Sequence, residues 1–145
     1  MRIYFGGAIA GGRGDQSIYK HIVERLKILG HTVPTEHVAH PAVLKEERSL
    51  PPRAVFERDM AWLVASDAII AEVSTPSLGV GYEVATGLQY GLPALCLYRE
   101  GLHVSALITG NSAPGLTVAR YRTPEELDRH IDRFLSSLRA PGVKV

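Results

Sequence analysis

The sequence lacks the cysteines and the long apolar runs that would indicate a disulfide-bonded or membrane-spanning protein. Its single cysteine, Cys96, cannot form a disulfide within the chain, and its apolar neighbours in ALCLY predict a buried, inert thiol. No apolar run approaches the ~18 residues of a membrane span, and glycines interrupt RIYFGGAIAGG too early for a signal peptide. We therefore expect a cytoplasmic protein with no membrane partner.

The chain also lacks an excess of either charge. Sixteen lysines and arginines face fifteen aspartates and glutamates, so we expect no broad electrostatic surface for a nucleic acid polymer. An anionic ligand would have to be held by a local group of donors. No metal is expected either, because most of the histidines lack the spacing of metal ligands; these are His21, His31, His40, His103 and His130.

Apolar stretches of strand length alternate with segments of helical period over the 145 residues, which is the pattern of βαβ units in a single domain. The predicted strands are 2–6, 31–35, 68–73, 93–98 and 116–121. The predicted helices are 16–29, 53–66, 82–90, 103–109 and a last one with Thr123 as N-cap and Pro124 as first residue. Residues 39–52 are proline-rich without a period, which indicates a loop or irregular lid. The expected α/β fold is a doubly wound, five-stranded parallel sheet of Rossmann or flavodoxin-like type, with ligands at the carboxyl ends of the strands.

The first of two glycine-rich loops, GGAIAGGRGD at residues 6–15, follows the first strand. Its glycines let the backbone approach a ligand, the helix N-terminus beyond it favours anions, and Arg13 offers a bidentate phosphate partner. Neither the GxGxxG fingerprint nor a Walker sequence fits. We interpret the segment as a phosphate or nucleotide loop, with a simple tight turn as the alternative.

The second loop, STPSLGVGYE at residues 74–83, follows the third predicted strand. Ser77 and the amides around Gly79 and Gly81 form a potential anion cradle, and Glu83 falls in the first turn of the predicted helix. Glu83 is then either a partner of the helix dipole or a carboxylate placed for chemistry on a phosphorylated substrate. Its position beside a second glycine loop favours chemistry.

Helical geometry in RAVFERDMAWLVASD identifies a second carboxylate. Val55, Phe56, Met60, Leu63 and Val64 define an apolar arc, and Asp59 falls inside it while Arg58 does not. A carboxylate in such an arc must be hydrogen-bonded or protonated, so Asp59 is either a cap for a neighbouring loop or a site residue. His37, after the second predicted strand, and Tyr4, in the first, are further candidates. Tyr4 matters only if its hydroxyl reaches the carboxylates.

Four segments together carry a family resemblance that spans nearly the whole chain: IYFGGAIAGGRGD, TEHV, ERDMAWLVASDAIIAEVSTPSLGVGYE and VSALI. The chain resembles the 2′-deoxynucleoside 5′-monophosphate N-glycosidases, or N-hydrolases, within the nucleoside 2-deoxyribosyltransferase superfamily. The resemblance implies hydrolysis of the bond between base and sugar in a nucleoside monophosphate, without a metal or redox cofactor.

The resemblance also implies roles for individual residues. Glu83 matches the family's nucleophile, Asp59 its assisting carboxylate and Tyr4 the tyrosine near the sugar. Ser105 matches a serine that reaches the phosphate from the neighbouring subunit, which implies a homodimer. The other implied substrate-binding positions are Gly7, Ile9, Gly11, Gly12, Arg13, His37, Ser77, Gly79 and Leu107. In the first loop Ala8 replaces a small polar residue and Ala10 a larger, often basic one, while Tyr4 favours deoxyribose over ribose.

The mechanism expected from these roles needs an ionised carboxylate beneath the sugar. Glu83 would stabilise or capture the oxocarbenium-like sugar, kept ionised by the helix N-terminus, and Asp59 would donate a proton to the departing base or orient Tyr4 and Glu83. Two alternatives stay open. A deoxyribosyltransferase would use the same Glu83 to pass the sugar to a second base, and a noncatalytic nucleotide-binding module would need the loops without the two carboxylates.

Overall fold

The computed structural model describes residues 1–9 and 14–139. Its four-stranded parallel sheet has the order β1-β2-β3-β4. The strands are β1 (Ile3–Gly7), β2 (Ala68–Glu72), β3 (Ala94–Arg99) and β4 (Leu116–Tyr121). The predicted α/β class and parallel sheet are confirmed, whereas the predicted fifth strand is wrong.

The missing strand, residues 31–35, runs beside β1 but pairs with it only through a bridge between Arg2 and Thr32. Further along, the Thr35 side chain replaces the backbone ladder: its Oγ1 accepts from the Phe5 N–H at 2.9 Å and donates to the Phe5 carbonyl at 2.7 Å. Pro34 has no N–H to give to a ladder. The chain therefore passes the outer edge of β1 before returning to β2 on the other side, which puts the topological switch point at the carboxyl ends of β1 and β2.

Helices cover both faces of the sheet because both faces of the strands are apolar. One face packs α1 (Gln16–Ile28) and α6 (Pro124–Arg139) against Ile3 and Phe5, and the other packs α3 (Pro52–Val64) and α4 (Leu78–Gln89) around Tyr4. The short elements are a 3₁₀ helix at Glu36–Ala39, α2 (Val43–Arg48) and α5 (Ala106–Thr109). No helix in the described ranges is both long and apolar enough to cross a bilayer.

Several predicted helix boundaries need correction. The α6 start is confirmed, with the Glu126 N–H donating to Thr123 Oγ1 at 3.3 Å. The start of α4 was wrong: it begins at Leu78 rather than 82, because Ser77 caps it by accepting from the Val80 N–H. Glu83 therefore lies in the second turn of α4, not in the first. The predicted irregular segment 39–52 contains α2, and the predicted helix at 103–109 shortens to Ala106–Thr109.

Candidate active site

The site is built around a contact between β1 and α4. Tyr4, 1% exposed, donates a hydrogen bond from its hydroxyl to Glu83 Oε1 at 2.7 Å. Gly6 leaves room for the carboxylate, since a Cβ there would lie 3.1 Å from Glu83 Oε2. The tyrosine hydroxyl thus reaches the carboxylate at the carboxyl end of β1, beside the switch point.

Glu83 titrates near neutral pH in this setting. Its pKa is raised from 4.5 to about 7: burial contributes most of the rise, the Tyr4 hydrogen bond opposes it, and the charges of Asp59 and Glu47 add to it. The prediction that the helix N-terminus keeps Glu83 ionised is wrong, because the residue lies beyond the first turn and desolvation dominates. Burial and the charge of Glu83 raise the pKa of Tyr4 well above its usual range, so the tyrosine remains a donor.

Asp59 lies on α3, which packs against α4. Its side chain is 20% exposed and accepts from Arg58 Nε at 2.9 Å. Its charge raises the pKa of both Tyr4 and Glu83, so the three groups share one electrostatic environment. The predicted apolar arc was wrong at Phe56, which is 52% exposed, and similarly at Val64, because α3 buries less of its surface than its apolar content suggests.

His37 lies in a polar cluster next to Asp59. Its Nε2 is 3.3 Å from Glu47 Oε1, and its ring centroid is 5.6 Å from that of Trp62. Arg58 Nη2 donates to the same Glu47 oxygen at 2.6 Å. Sequence reasoning missed Glu47 and Arg58: the first lies in the segment predicted as irregular, and the second was assigned to the outer face of its helix.

The first glycine loop is described at its two ends. A Cβ on Gly7 would lie 2.9 Å from Tyr19 Cζ, so this glycine admits the tyrosine ring of α1. The Tyr19 hydroxyl accepts from the Ala8 N–H at 3.0 Å, and Ile9 packs against the same core. The predictions for Ala10, Gly11, Gly12 and Arg13 fall outside the described residues.

The far end of that loop is fixed by a buried acid that sequence reasoning missed. Asp15, 1% exposed, pairs with Arg99 at the end of β3 and accepts from Thr75 Oγ1 at 2.7 Å. Through these two contacts Asp15 links the start of α1 to β3 and to the loop after β2. The available signal was the position of Asp15 directly before a helix, but its partners are 60 and 84 residues away.

The second loop combines a helix cap with a groove. Ser77 caps α4, and Gly79 lies in the first turn of that helix. Ser77, Ser105 and Leu107 line one cavity of about 810 Å³, together with apolar side chains of α4. Within the described ranges, no group of three His, Cys, Asp or Glu side chains is placed to hold a metal ion.

The fold and these contacts define a doubly wound α/β protein with a tyrosine–carboxylate pair at its switch point. The chain belongs to the nucleoside 2-deoxyribosyltransferase family, whose sequence model matches residues 3–127.

Comparison with individual proteins is consistent with this family. The chain is 39% identical over 141 residues to a 5-hydroxymethyl-dUMP N-hydrolase of Danio rerio, covering 95% of this chain and 98% of that protein. It is 40% identical over 140 residues to the enzyme of the same name from Rattus norvegicus, covering 93% and 85%. The structure of a CMP N-glycosidase of Clostridium botulinum has the same fold, with a TM-score of 0.67 at 17% identity, covering 91% of this chain and 99% of that chain.

Proposed function

We propose that the protein hydrolyses the N-glycosidic bond of (deoxy)nucleoside 5′-monophosphates, giving the free base and (deoxy)ribose 5-phosphate. The names of the relatives supply the substrate class. The observation that carries the proposal is the Glu83 carboxylate, held by the Tyr4 hydroxyl beside Gly6, between the two glycine loops.

In the proposed mechanism, Glu83 attacks or stabilises C1′ as the bond from C1′ to the base nitrogen breaks. The bonding electrons leave with the base. Water then gives its hydroxyl to C1′ and releases Glu83, and the water proton ends on the base. Asp59 relays that proton, and Tyr4 orients the Glu83 carboxylate. A carboxylate with a pKa of about 7 is a better nucleophile than an ordinary one and is still ionised above neutral pH.

Ser77 and the first-turn amides of α4 supply phosphate donors in this proposal, as do Gly7, Ile9 and the residues that follow them in the first loop. This remote binding energy positions C1′ over Glu83. His37, between Glu47 and Trp62, contacts the base.

A panel of all ribo- and deoxyribonucleoside 5′-monophosphates tests the proposal directly. We expect base release from at least one of them and none from the matching unphosphorylated nucleosides. A complete absence of release across the panel, with nucleotide binding intact, would contradict hydrolysis and identify a noncatalytic binding module.

Sugar transfer is the second candidate, favoured by the family's name. The same assays, repeated with an excess of a second free base, separate the two activities. Hydrolysis predicts sugar phosphate as the product whatever base is added. A new nucleotide or nucleoside carrying the added base would indicate transfer instead.

The assembly proposed for this activity is a homodimer in which Ser105 and Leu107 serve the partner's site. At about 100° per residue, Gly81 and Ala85, which line the cavity with Ser105, lie nearly opposite Glu83 around α4. Ser105 therefore serves a neighbouring Glu83 more readily than its own. Leu78 and Leu107 are 97% and 82% exposed, as an apolar contact surface requires.

Sedimentation of the wild type and of Leu107→Glu tests the assembly. We expect a dimer for the wild type, and a monomer with weakened nucleotide binding for the variant. Ile28→Glu, on the exposed part of α1, is the matched control and should leave the dimer intact. A monomeric wild type that is fully active would refute the assembly.

A further inference from the structure

The guanidinium of Arg58 connects three parts of the molecule that meet beside the site. Its Nε donates to Asp59 Oδ1 at 2.9 Å, and its Nη2 donates to Glu47 Oε1 at 2.6 Å. Nη2 also lies 3.4 Å from His37 Nε2. One side chain of α3 thus contacts the carboxylate next to it, α2 and the 3₁₀ helix.

An aromatic ring packs against this guanidinium. The Arg58 Cζ lies 4.9 Å from the Trp62 ring centroid, one helical turn along α3. The Arg58 side chain is 25% exposed, and those of Glu47 and Asp59 are 18% and 20% exposed. Because Arg58 is partly shielded and binds two carboxylates, it restricts the orientation of Asp59 and Glu47 more strongly than an exposed ion pair would.

Arg58 is a compensating cation for two carboxylates of the site. Asp59 and Glu47 both raise the pKa of Glu83, so three carboxylates share one environment. Arg58 pairs with two of them, and no cation among the described residues pairs with Glu83. Without the guanidinium, Asp59 and Glu47 would lose this paired cation, and their charges would raise the Glu83 pKa more strongly.

We propose that Arg58 is a positioning residue of the active site. It orients Asp59 and holds residues 36–48 against α3 at the base end, which is the side of the site where the base is proposed to bind. The inference rests on the proposed function, because Asp59 and the base end are defined by it. It adds a residue outside the set that sequence reasoning identified. The position of the 36–48 segment and the orientation of Asp59 are therefore coupled, since the same guanidinium holds both.

The test compares Arg58→Gln with Arg53→Gln. Arg53 is on the same helix and makes the same kind of Nε contact, at 2.7 Å to Glu57, but its side chain is 88% exposed. Both variants remove one positive charge from α3. We expect Arg58→Gln to lower kcat by about tenfold to hundredfold, the loss expected for one charge-assisted hydrogen bond. Arg53→Gln should leave kcat within about twofold of wild type.

The pH profile separates positioning from a merely structural role. Among the residues that the structure describes, the titratable and charged groups around Asp59 and Glu83 are Tyr4 from β1, His37 from the 3₁₀ helix, Glu47 from α2 and Arg58 from α3. With Arg58 neutralised, the acidic limb of kcat/KM should move upward by about one pH unit. Arg58→Lys keeps the charge without the planar fork, so it should restore the limb but not the full kcat.

A carboxylate NMR titration of Glu83 gives a readout that does not depend on turnover. We expect a higher Glu83 pKa in Arg58→Gln than in wild type, and no change in Arg53→Gln. If the wild type releases no base, the proposed function fails, and the titration still decides whether Arg58 sets the charge balance. An unchanged Glu83 titration together with wild-type kcat and pH profile in Arg58→Gln would overturn the inference.

Discussion

Two glutamates at the carboxyl end of the sheet each accept a hydrogen bond from a tyrosine, but they lie over opposite faces of the sheet. Glu72 ends β2 and faces α1 and α6, while Glu83 lies on α4 over the other face. Each accepts from a tyrosine hydroxyl: Glu72 from Tyr121 at 3.0 Å and Glu83 from Tyr4 at 2.7 Å. Burial raises the pKa of both.

The difference lies in how completely each carboxylate is satisfied. Glu72 is fully buried and also accepts from the hydroxyl and the N–H of Ser74. Within the described part of the chain, Tyr4 is the one donor to Glu83, whose neighbours Asp59 and Glu47 are negative. A carboxylate whose acceptors are filled stabilises a fold, whereas one with spare acceptor capacity and repulsive neighbours is available for chemistry.

The largest expected effect is the loss of activity in Glu83→Gln. The amide keeps the shape and can still accept from Tyr4, but it cannot act as a nucleophile, so base release should fall by about a thousandfold or more. Stability at pH 8 should be unchanged or higher, because a poorly compensated charge is removed. Base release and thermal unfolding measure the two effects.

Glu57→Gln, on the exposed side of α3, is the control for that substitution. It should retain wild-type turnover. Substantial residual activity in Glu83→Gln would remove Glu83 from the mechanism.

The second effect is a loss of stability in Glu72→Ala. It leaves the hydroxyls of Tyr121 and Ser74 without their acceptor and opens a cavity, which should cost about 2–4 kcal/mol in the free energy of unfolding. Denaturant unfolding measures the cost. Well below the transition, kcat should stay within a few-fold of wild type; a collapse of kcat in the folded variant would make Glu72 part of the chemistry.

The sequence predicted the strands and singled out candidate residues, but it did not predict what surrounds those residues. Strands β1 to β4 follow from apolar runs, and the resemblance singled out Glu83. The strand at 31–35 failed because a side chain, that of Thr35, replaces the ladder, which no propensity records. The start of α4 was available in the N-cap signal of Ser77, but the glycines that follow obscured it.

Contacts across long chain distances were beyond the reach of sequence patterns. Glu72 meets Tyr121 49 residues on, and Asp15 meets Arg99 84 residues on. Arg58 was assigned to the outside of α3 by its helical angle, yet a long side chain reaches around to Glu47. Local periodicity therefore identified candidate carboxylates, while their pairing depended on tertiary packing.

The third expected effect comes from substituting the tyrosine partner of each glutamate, Tyr4 for Glu83 and Tyr121 for Glu72. Tyr4→Phe removes the hydrogen bond that lowers the pKa of Glu83, so that pKa should rise above about 7. Activity at pH 7 should fall about tenfold, and the acidic limb should move upward.

Tyr121→Phe removes the corresponding bond to Glu72. It should cost about 1–1.5 kcal/mol of stability and leave the pH profile unmoved. Equal pH profiles for the two variants would show that the two tyrosine–glutamate pairs are not distinct in function.

The last expected effect is that stability and activity change in opposite directions as the pH passes through neutrality. The folded pKa of Glu83, about 7, lies above its ordinary value of 4.5, so the protonated form favours the folded state. This stabilisation is fully present below about pH 4.5 and is lost as pH rises through about 7, with a slope of at most about 1.4 kcal/mol per pH unit. Ionisation in the same window creates the nucleophile, so kcat/KM should rise as that stabilisation is lost.

Glu72 contributes a pH dependence of the same sign, because its pKa is also raised by burial. The difference in unfolding free energy between wild type and Glu83→Gln cancels that contribution, since both proteins carry Glu72. Denaturant unfolding from pH 5 to pH 8 should therefore show that the wild type becomes less stable relative to Glu83→Gln as the pH rises. A flat difference, with kcat/KM still rising through pH 7, would assign the activity limb to another group and end the contrast between the two glutamates.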